Sequence, residues 1–178
     1  AGELAQRGLD IPPENAPVVK RVIHTTADFD YVDNLAFSDH AVEKGIAALR
    51  AGCDIVTDTQ MAKAGINKSI LASLGGEVHC FMSDADVAAE AKARGVTRAF
   101  VSMERAAALP KPCIFAIGNA PTALFSLENL MEADKLHPAL IIGVPVGFVN
   151  VVESKEQLFV TCEAHGVPAI VAMGRKGG

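Results

Sequence analysis

The sequence predicts an α/β fold: one doubly wound domain around a five-stranded, mainly parallel sheet. Three observations carry this. Five short apolar runs recur along the chain, "CDIVTD" from position 53, "EVHCFM" from 77, "CIFAIG" from 113, "ALIIGV" from 139 and "AIVAM" from 169. They are continuous rather than alternating, as in strands covered on both faces. Segments of helical periodicity separate them, which implies crossover connections between parallel neighbours. The length, 178 residues, suffices for one domain with a substantial core. A flavodoxin-like strand order is assigned by analogy alone. The domain is taken to span 1–178, with native N- and C-terminal segments expected to be missing.

The helices follow from spacing and caps. The opening "AGELAQRGLD" reads as the tail of a longer helix. Val18, Val19, Val22, Ile23, Thr26 and Ala27 then recur at helical spacing and are expected to face a core. Arg21 and His24, three apart, share another face of that helix. Ser38 is a good N-cap for a helix over 39–51 that Gly52 ends. Ser83 and Asp84 cap "ADVAAEAKAR", and a further helix runs through "SKEQLFVTCEAHG". The chain stops at "MGRKGG", where a doubly wound domain normally adds a covering helix.

Bulk composition excludes several functions. A net charge of -5 argues against a nucleic-acid or anionic-membrane surface. Scarce aromatics and the absence of tryptophan argue against stacking platforms for single strands. No apolar run approaches a bilayer span and no signal peptide opens the chain. Cys53, Cys80, Cys113 and Cys162 form no C-x-x-C pair and read as buried free thiols of a reducing cytoplasm. His79 and Cys80 are adjacent strand residues that point to opposite faces, a poor metal pair. Phosphate-loop, dinucleotide and serine-elbow motifs are absent.

The unusual residues gather where the strands end, which is where open parallel sheets bind ligands. One strand runs into Asp58, Thr59, Gln60 and Met61; others run into "GNAPTALF", "GVPVGFVN" and "GRKGG". In "GNAPTALF", Asn119 is a plausible N-cap and Pro121 sits in the first turn. The free backbone N–H groups at that helix start then suit a carboxylate or phosphate, although a plain strand-to-helix turn explains the same residues. "GVPVGFVN", with Gly143 and Val144, offers shape but no acid, base or nucleophile. Arg175 and Lys176 read either as a solvated tail or as an anion clamp. Lys63 and Lys68 are further sources of charge. Asp58 is a possible acid or base, but capping of the helix that follows is the simpler reading. His24 is the best acid–base candidate, because histidine titrates near neutral pH, although a lone helical histidine is commonly structural.

Taken together, "RVIHTTADFDYVDNLAFS", "AGCDIVTDTQMAKAGINK", "EVHCFMSD", "IFAIGNAPTALF", "ALIIGVPVGFVNVVESKE" and "GRKGG" resemble the precorrin-8X / cobalt-precorrin-8 methylmutase family of corrin biosynthesis. The resemblance runs in order over nearly the whole chain. It implies an isomerase that moves a methyl group from C-11 to C-12 of a late tetrapyrrole, giving hydrogenobyrinate or its cobalt form. It implies no cofactor and no protein-bound metal. The family histidine of the R-x-I-H block matches His24, which would protonate or hydrogen-bond the macrocycle, and the matching arginine, Arg21, would contact a substrate carboxylate. Asp58, Thr59, Gly118, Asn119, Ala120, Gly143, Val144, Arg175 and Lys176 complete the expected substrate-binding set. A homodimer with active sites near the interface, in the cytoplasm, is also implied. The rival readings are a tetrapyrrole-binding carrier or inactive homologue, and, more remotely, a flavin- or nucleotide-binding module.

Overall fold

In the computed structural model, the described residues are 10–178 together with Leu4 and Gly8, so the helix expected over 1–10 lies largely outside them. The elements in chain order are α1 (Ala16–Thr26), α2 (Tyr31–Asn34), β1 (Leu35–Phe37), α3 (Ala41–Arg50), β2 (Asp54–Thr57), α4 (Gln60–Gly65), α5 (Lys68–Ser73) and β3 (Val78–His79). They continue with α6 (Ala85–Arg94), α7 (Arg98–Ala106), β4 (Cys113–Ile117), α8 (Pro121–Glu132), β5 (Leu140–Gly143), α9 (Val151–Ala164) and β6 (Ala169–Ala172).

The α/β class is as expected, but the sheet is mixed and six-stranded, in the order β1-β6-β5-β4-β2-β3. The five expected strands pair in parallel, and β1 adds an antiparallel edge against β6, Leu35 opposite Ala172. The complete order therefore departs from the five-stranded, flavodoxin-like expectation. The three residues of β1 are too few for a periodicity to register. Their position matters, because an antiparallel β1 starts at the edge where its parallel neighbours end. The chain entering β1, which is the end of α1, the 27–30 turn and α2, is thereby carried to that same carboxyl edge.

Successive strand residues serve two cores, as a period of two requires. Phe115, Ile117, Ile141, Ala169 and Val171 pack under α7, α8 and α9 with Met103, Leu124, Leu127 and Leu158. Ile114, Leu140, Ile170 and Ala172 turn the other way, onto Val19 and Ile23 of α1, Tyr31, and Ala41 of α3. This is why the strands read as unbroken apolar runs. Within α1 only Val19 and Ile23 are buried; the helix ends at Thr26 with Ala27 in a left-handed cap, so Thr26 and Ala27 do not face the core as expected.

Ser38 does not cap α3. Its N–H and hydroxyl oxygen bond the backbone of Ala169 beside β1, and a left-handed His40 precedes the helix. All four cysteines are buried and free. Among the described residues no helix is long and apolar enough to cross a membrane.

Candidate active site

Four loops leave the carboxyl edge side by side, after β2, β4, β5 and β6, and backbone and side-chain hydrogen bonds knit them together. The first link is Asp58. Its carboxylate, 1 % exposed, accepts the N–H groups of Gly118 (2.9 Å), Asn119 (2.8 Å) and Ala120 (2.6 Å). The anion seat foreseen at the start of α8 thus exists, and the protein fills it with its own carboxylate. Two expectations change accordingly. Ala120, not Asn119, is the N-cap residue of α8, and those three N–H groups are not free for a ligand. The Asn119 side chain stands exposed above them. Thr59 caps α4, its hydroxyl oxygen accepting the Ala62 N–H at 3.0 Å. Gly143 faces inward, where a methyl group would sit 3.3 Å from Leu158, so its small size serves packing.

The second link is the segment after β6. Val144 bonds both ways, donating its N–H to Ile117 and accepting the Gly178 N–H, while Gly147 donates to the Arg175 carbonyl. A methyl group on Gly177 would overlap the Val144 carbonyl oxygen, so only glycine fits there. The two cations of "GRKGG" behave differently. Lys176 Nζ lies 2.6 Å from both Asp28 and Asp30, in the turn between α1 and α2. That pairing, together with the Asp30 N–H, holds the Asp28 carboxyl below the usual carboxylate range and raises Lys176. Lys176 is therefore spoken for as an anion clamp. Arg175 is exposed, lies over the Phe148 ring at 5.4 Å and has no carboxylate partner among the described residues.

The third feature is Lys155 on α9, which sequence reasoning missed. It is fully buried, and its Nζ donates to the carbonyls of Gly174 (2.9 Å) and Lys176 (2.8 Å). Burial pushes its ammonium down to about 8. The signal was present in the spacing: Val151, Lys155, Leu158 and Cys162 fall at i, i+4, i+7 and i+11, on the buried stripe of α9.

Between α1 and this segment lies a cavity of about 220 Å³ lined by Arg21, Val22, Thr25, Thr26, Tyr31, Leu35, Val144, Gly177 and Gly178. Arg21 is exposed at it, and no acidic side chain is within salt-bridge distance of Arg21 among the described residues. His24 is also exposed but does not line the cavity; at 3.6 residues per turn it sits about 60° round the helix from Arg21, on the flank turned away. It lies in the last turn of α1. Lys63 and Lys68 stand on α4 and α5, outside the cavity lining. Beside the same edge Met61 is 85 % exposed and Phe148 82 %, with Val149 nearly as open.

The carboxyl edge thus joins an apolar cleft, an arginine with no acidic partner among the described residues and, on the helix flank beyond it, a histidine. The family model for precorrin-8X methylmutase matches residues 2–178. This chain belongs to that family. The cobalt-precorrin-8 methylmutase of Salmonella typhimurium is 48 % identical over 169 residues, spanning 93 % of this chain and 76 % of that protein. That of Priestia megaterium is 46 % identical over 165 residues, with 93 % and 72 % covered. Among solved structures, the precorrin-8X methyl mutase of Thermus thermophilus superposes with a TM-score of 0.83 at 42 % identity, over 94 % of this chain and 79 % of that one.

Proposed function

We propose that this protein is a corrin-biosynthesis isomerase that moves the methyl group at C-11 of precorrin-8X or cobalt-precorrin-8 to C-12. The product is hydrogenobyrinate or its cobalt form. The family match over residues 2–178 carries the reading. The relatives described above from Salmonella typhimurium and Priestia megaterium are cobalt-precorrin-8 methylmutases, which favours the cobalt-bearing substrate.

The geometry suits such a substrate. A cavity of about 220 Å³ is smaller than pockets that enclose a whole ligand, so it takes one edge of the macrocycle while the rest lies over the loops. Arg21 and Arg175 meet substrate carboxylates, and Val144 and Phe148 offer apolar surface to the ring. Asn119 adds a hydrogen-bonding side chain at the rim. Asp58, Thr59, Gly118, Ala120, Gly143 and Lys176 support this surface by holding its loops. His24 acts as the acid: it lends a proton, or a hydrogen bond, to the ring while the methyl group shifts, and recovers it afterwards, because an isomerisation consumes no proton. A rearrangement within one molecule asks chiefly for positioning and one such donor.

His24 stands outside the cavity lining, so the macrocycle reaches it only by extending past Arg21 across the outer flank of α1. The exposed Met61, Phe148 and Val149 beside this edge are the surface on which a second copy would seat, and a homodimer closing over the ring would bring a wall to that flank. We place the enzyme in the cytoplasm, without cofactor and without a nucleic-acid partner.

Conversion of precorrin-8X or cobalt-precorrin-8 by the purified protein tests the reading. The expected result is the absorption spectrum of the corrin product at unchanged mass. Tight binding of the tetrapyrrole with no conversion would make the protein a carrier instead. Sedimentation at micromolar concentration is expected to give a dimer.

A further inference from the structure

We propose that Lys155 is a positioning residue for this reaction: a buried ammonium that holds the segment 174–178 in the curve forming one wall of the substrate cavity. The proposal rests on the methylmutase reading for its kinetic consequence and on geometry alone for the clamp.

A fully buried lysine needs a reason. Lys155 occupies a position on α9 that Val151, Leu158 and Cys162 share, where methionine would fill the same space without desolvating a charge. No carboxylate pairs with it among the described residues, and its Nζ meets two backbone carbonyls, Gly174 and Lys176. What it holds is therefore informative. Gly174 turns the chain at φ 76°, and the two carbonyls point inward onto the ammonium. The same few residues present Arg175 outward, bond Gly147 and Val144, and place Gly177 and Gly178 in the cavity wall. From the opposite side Lys176 Nζ ties the segment to Asp28 and Asp30, just beyond α1. The strap is thus pinned from the core by Lys155 and from the surface by Lys176, and the two pins fix its distance from Arg21.

A residue that shapes a wall in this way raises substrate affinity with little effect on the chemical step. It also imposes a stability cost that a merely structural residue would not. Replacing it should therefore separate stability from function, which loss of ordinary packing cannot do.

The test is Lys155→Met in the full chain, read three ways. Urea unfolding should give a midpoint close to that of the parent, because relief of the buried charge offsets the two carbonyls left without a donor. Hydrogen exchange in the ligand-free protein should quicken at least about tenfold at the Gly147 and Gly178 amides, which the strap protects, with β4 and β5 unchanged. With the tetrapyrrole substrate, KM should rise about tenfold or more while kcat stays within about threefold. Unchanged exchange at Gly147 and Gly178 would overturn the clamp, whether or not the protein turns over precorrin-8X. A lowered midpoint with unaltered KM would make Lys155 structural only. Should Lys155→Met not fold, Lys155→Gln, which keeps one donor for one carbonyl, is read by the same exchange measurement, with the same criterion. Absence of turnover in the parent, with exchange quickened as described, would fault the methylmutase reading and leave the clamp standing.

Discussion

A buried aspartate opens β2 and another directly follows it, and the two are used differently. Asp54, at the amino end, is 5 % exposed; it accepts the Glu77 N–H at 2.8 Å, faces His79 Nε2 at 3.0 Å and has Lys111 Nζ at 3.7 Å. Two of its partners are side chains, His79 of β3 and Lys111 of the loop before β4. Asp58, at the carboxyl end, accepts three backbone N–H groups and no side chain. Lys155 repeats that pattern with the opposite sign, donating only to backbone carbonyls. The carboxyl edge is therefore braced from within by charges that hold backbone, and the side chains of Arg21, Asn119 and Arg175 above it have no ion-pair or hydrogen-bond partner among the described residues. At the amino end Asp54 is paired instead with the side chains of His79 and Lys111. On the proposed function, the difference is that between a surface prepared for a ligand and one that is closed.

Substitution at Asp58 should have the largest effect. Asp58→Ala leaves three inward-facing N–H groups without their acceptor, and at ~1–3 kcal/mol for each orphaned donor, partly relieved by water, the loss of stability should be on the order of 4 kcal/mol in urea unfolding. Asp58→Asn turns an amide donor toward those N–H groups and should cost about half as much. Asp54→Asn keeps an acceptor for the Glu77 N–H and loses charge pairing only, so about 1 kcal/mol is expected. Equal costs at the two ends would break the comparison.

A pH dependence sharpens it. Burial lowers the Lys155 ammonium to about 8 in the native protein, against 10.5 for the unperturbed group. Between those values the unfolded chain binds more protons than the native one, so this residue makes stability rise with pH from about 8 to 10.5, and below 8 its buried charge opposes folding throughout. Burial alone lowers this ammonium, with no neighbouring charge contributing among the described residues. Urea midpoints measured across that range should rise in the parent relative to Lys155→Met. An identical slope in both would remove Lys155 as the source.

The smallest effect is expected at Arg175. Arg175→Ala removes an exposed cation stacked on Phe148, so stability should change by less than about 0.5 kcal/mol. The affinity of the carboxylate-rich substrate should nevertheless fall several-fold in a binding titration.

The sequence disclosed the parallel strands because both of their faces are buried, and it disclosed the loops at the carboxyl edge because glycine and proline punctuate them. What it concealed depends on contacts across long separations. Asp58 reaches its partners 60 to 62 positions along the chain, so no local pattern distinguishes it from an ordinary cap. Lys176 read as a clamp for ligands because Asp28 and Asp30 lie nearly 150 residues before it. Lys155 was hidden by its residue type: a lysine within "ESKEQ" suggests solvent, and only its register with Val151, Leu158 and Cys162 shows otherwise. Arg21 and His24 were legible as neighbours on one helix, but which of them borders the cavity depended on how β1 turns α1 toward the edge.

Whether the two edges differ in duty is measured with two histidines. Single-turnover conversion of precorrin-8X should be compared for the parent, His24→Ala at the carboxyl edge and His79→Ala, which loses the ring paired with Asp54 at the closed end. The account predicts that His24→Ala slows the methyl shift by about 10²–10⁴-fold while retaining the fold, and that His79→Ala, though less stable by about 1 kcal/mol, converts substrate at the parent rate. Parent-rate turnover by His24→Ala, or a comparable loss in folded His79→Ala, would contradict it.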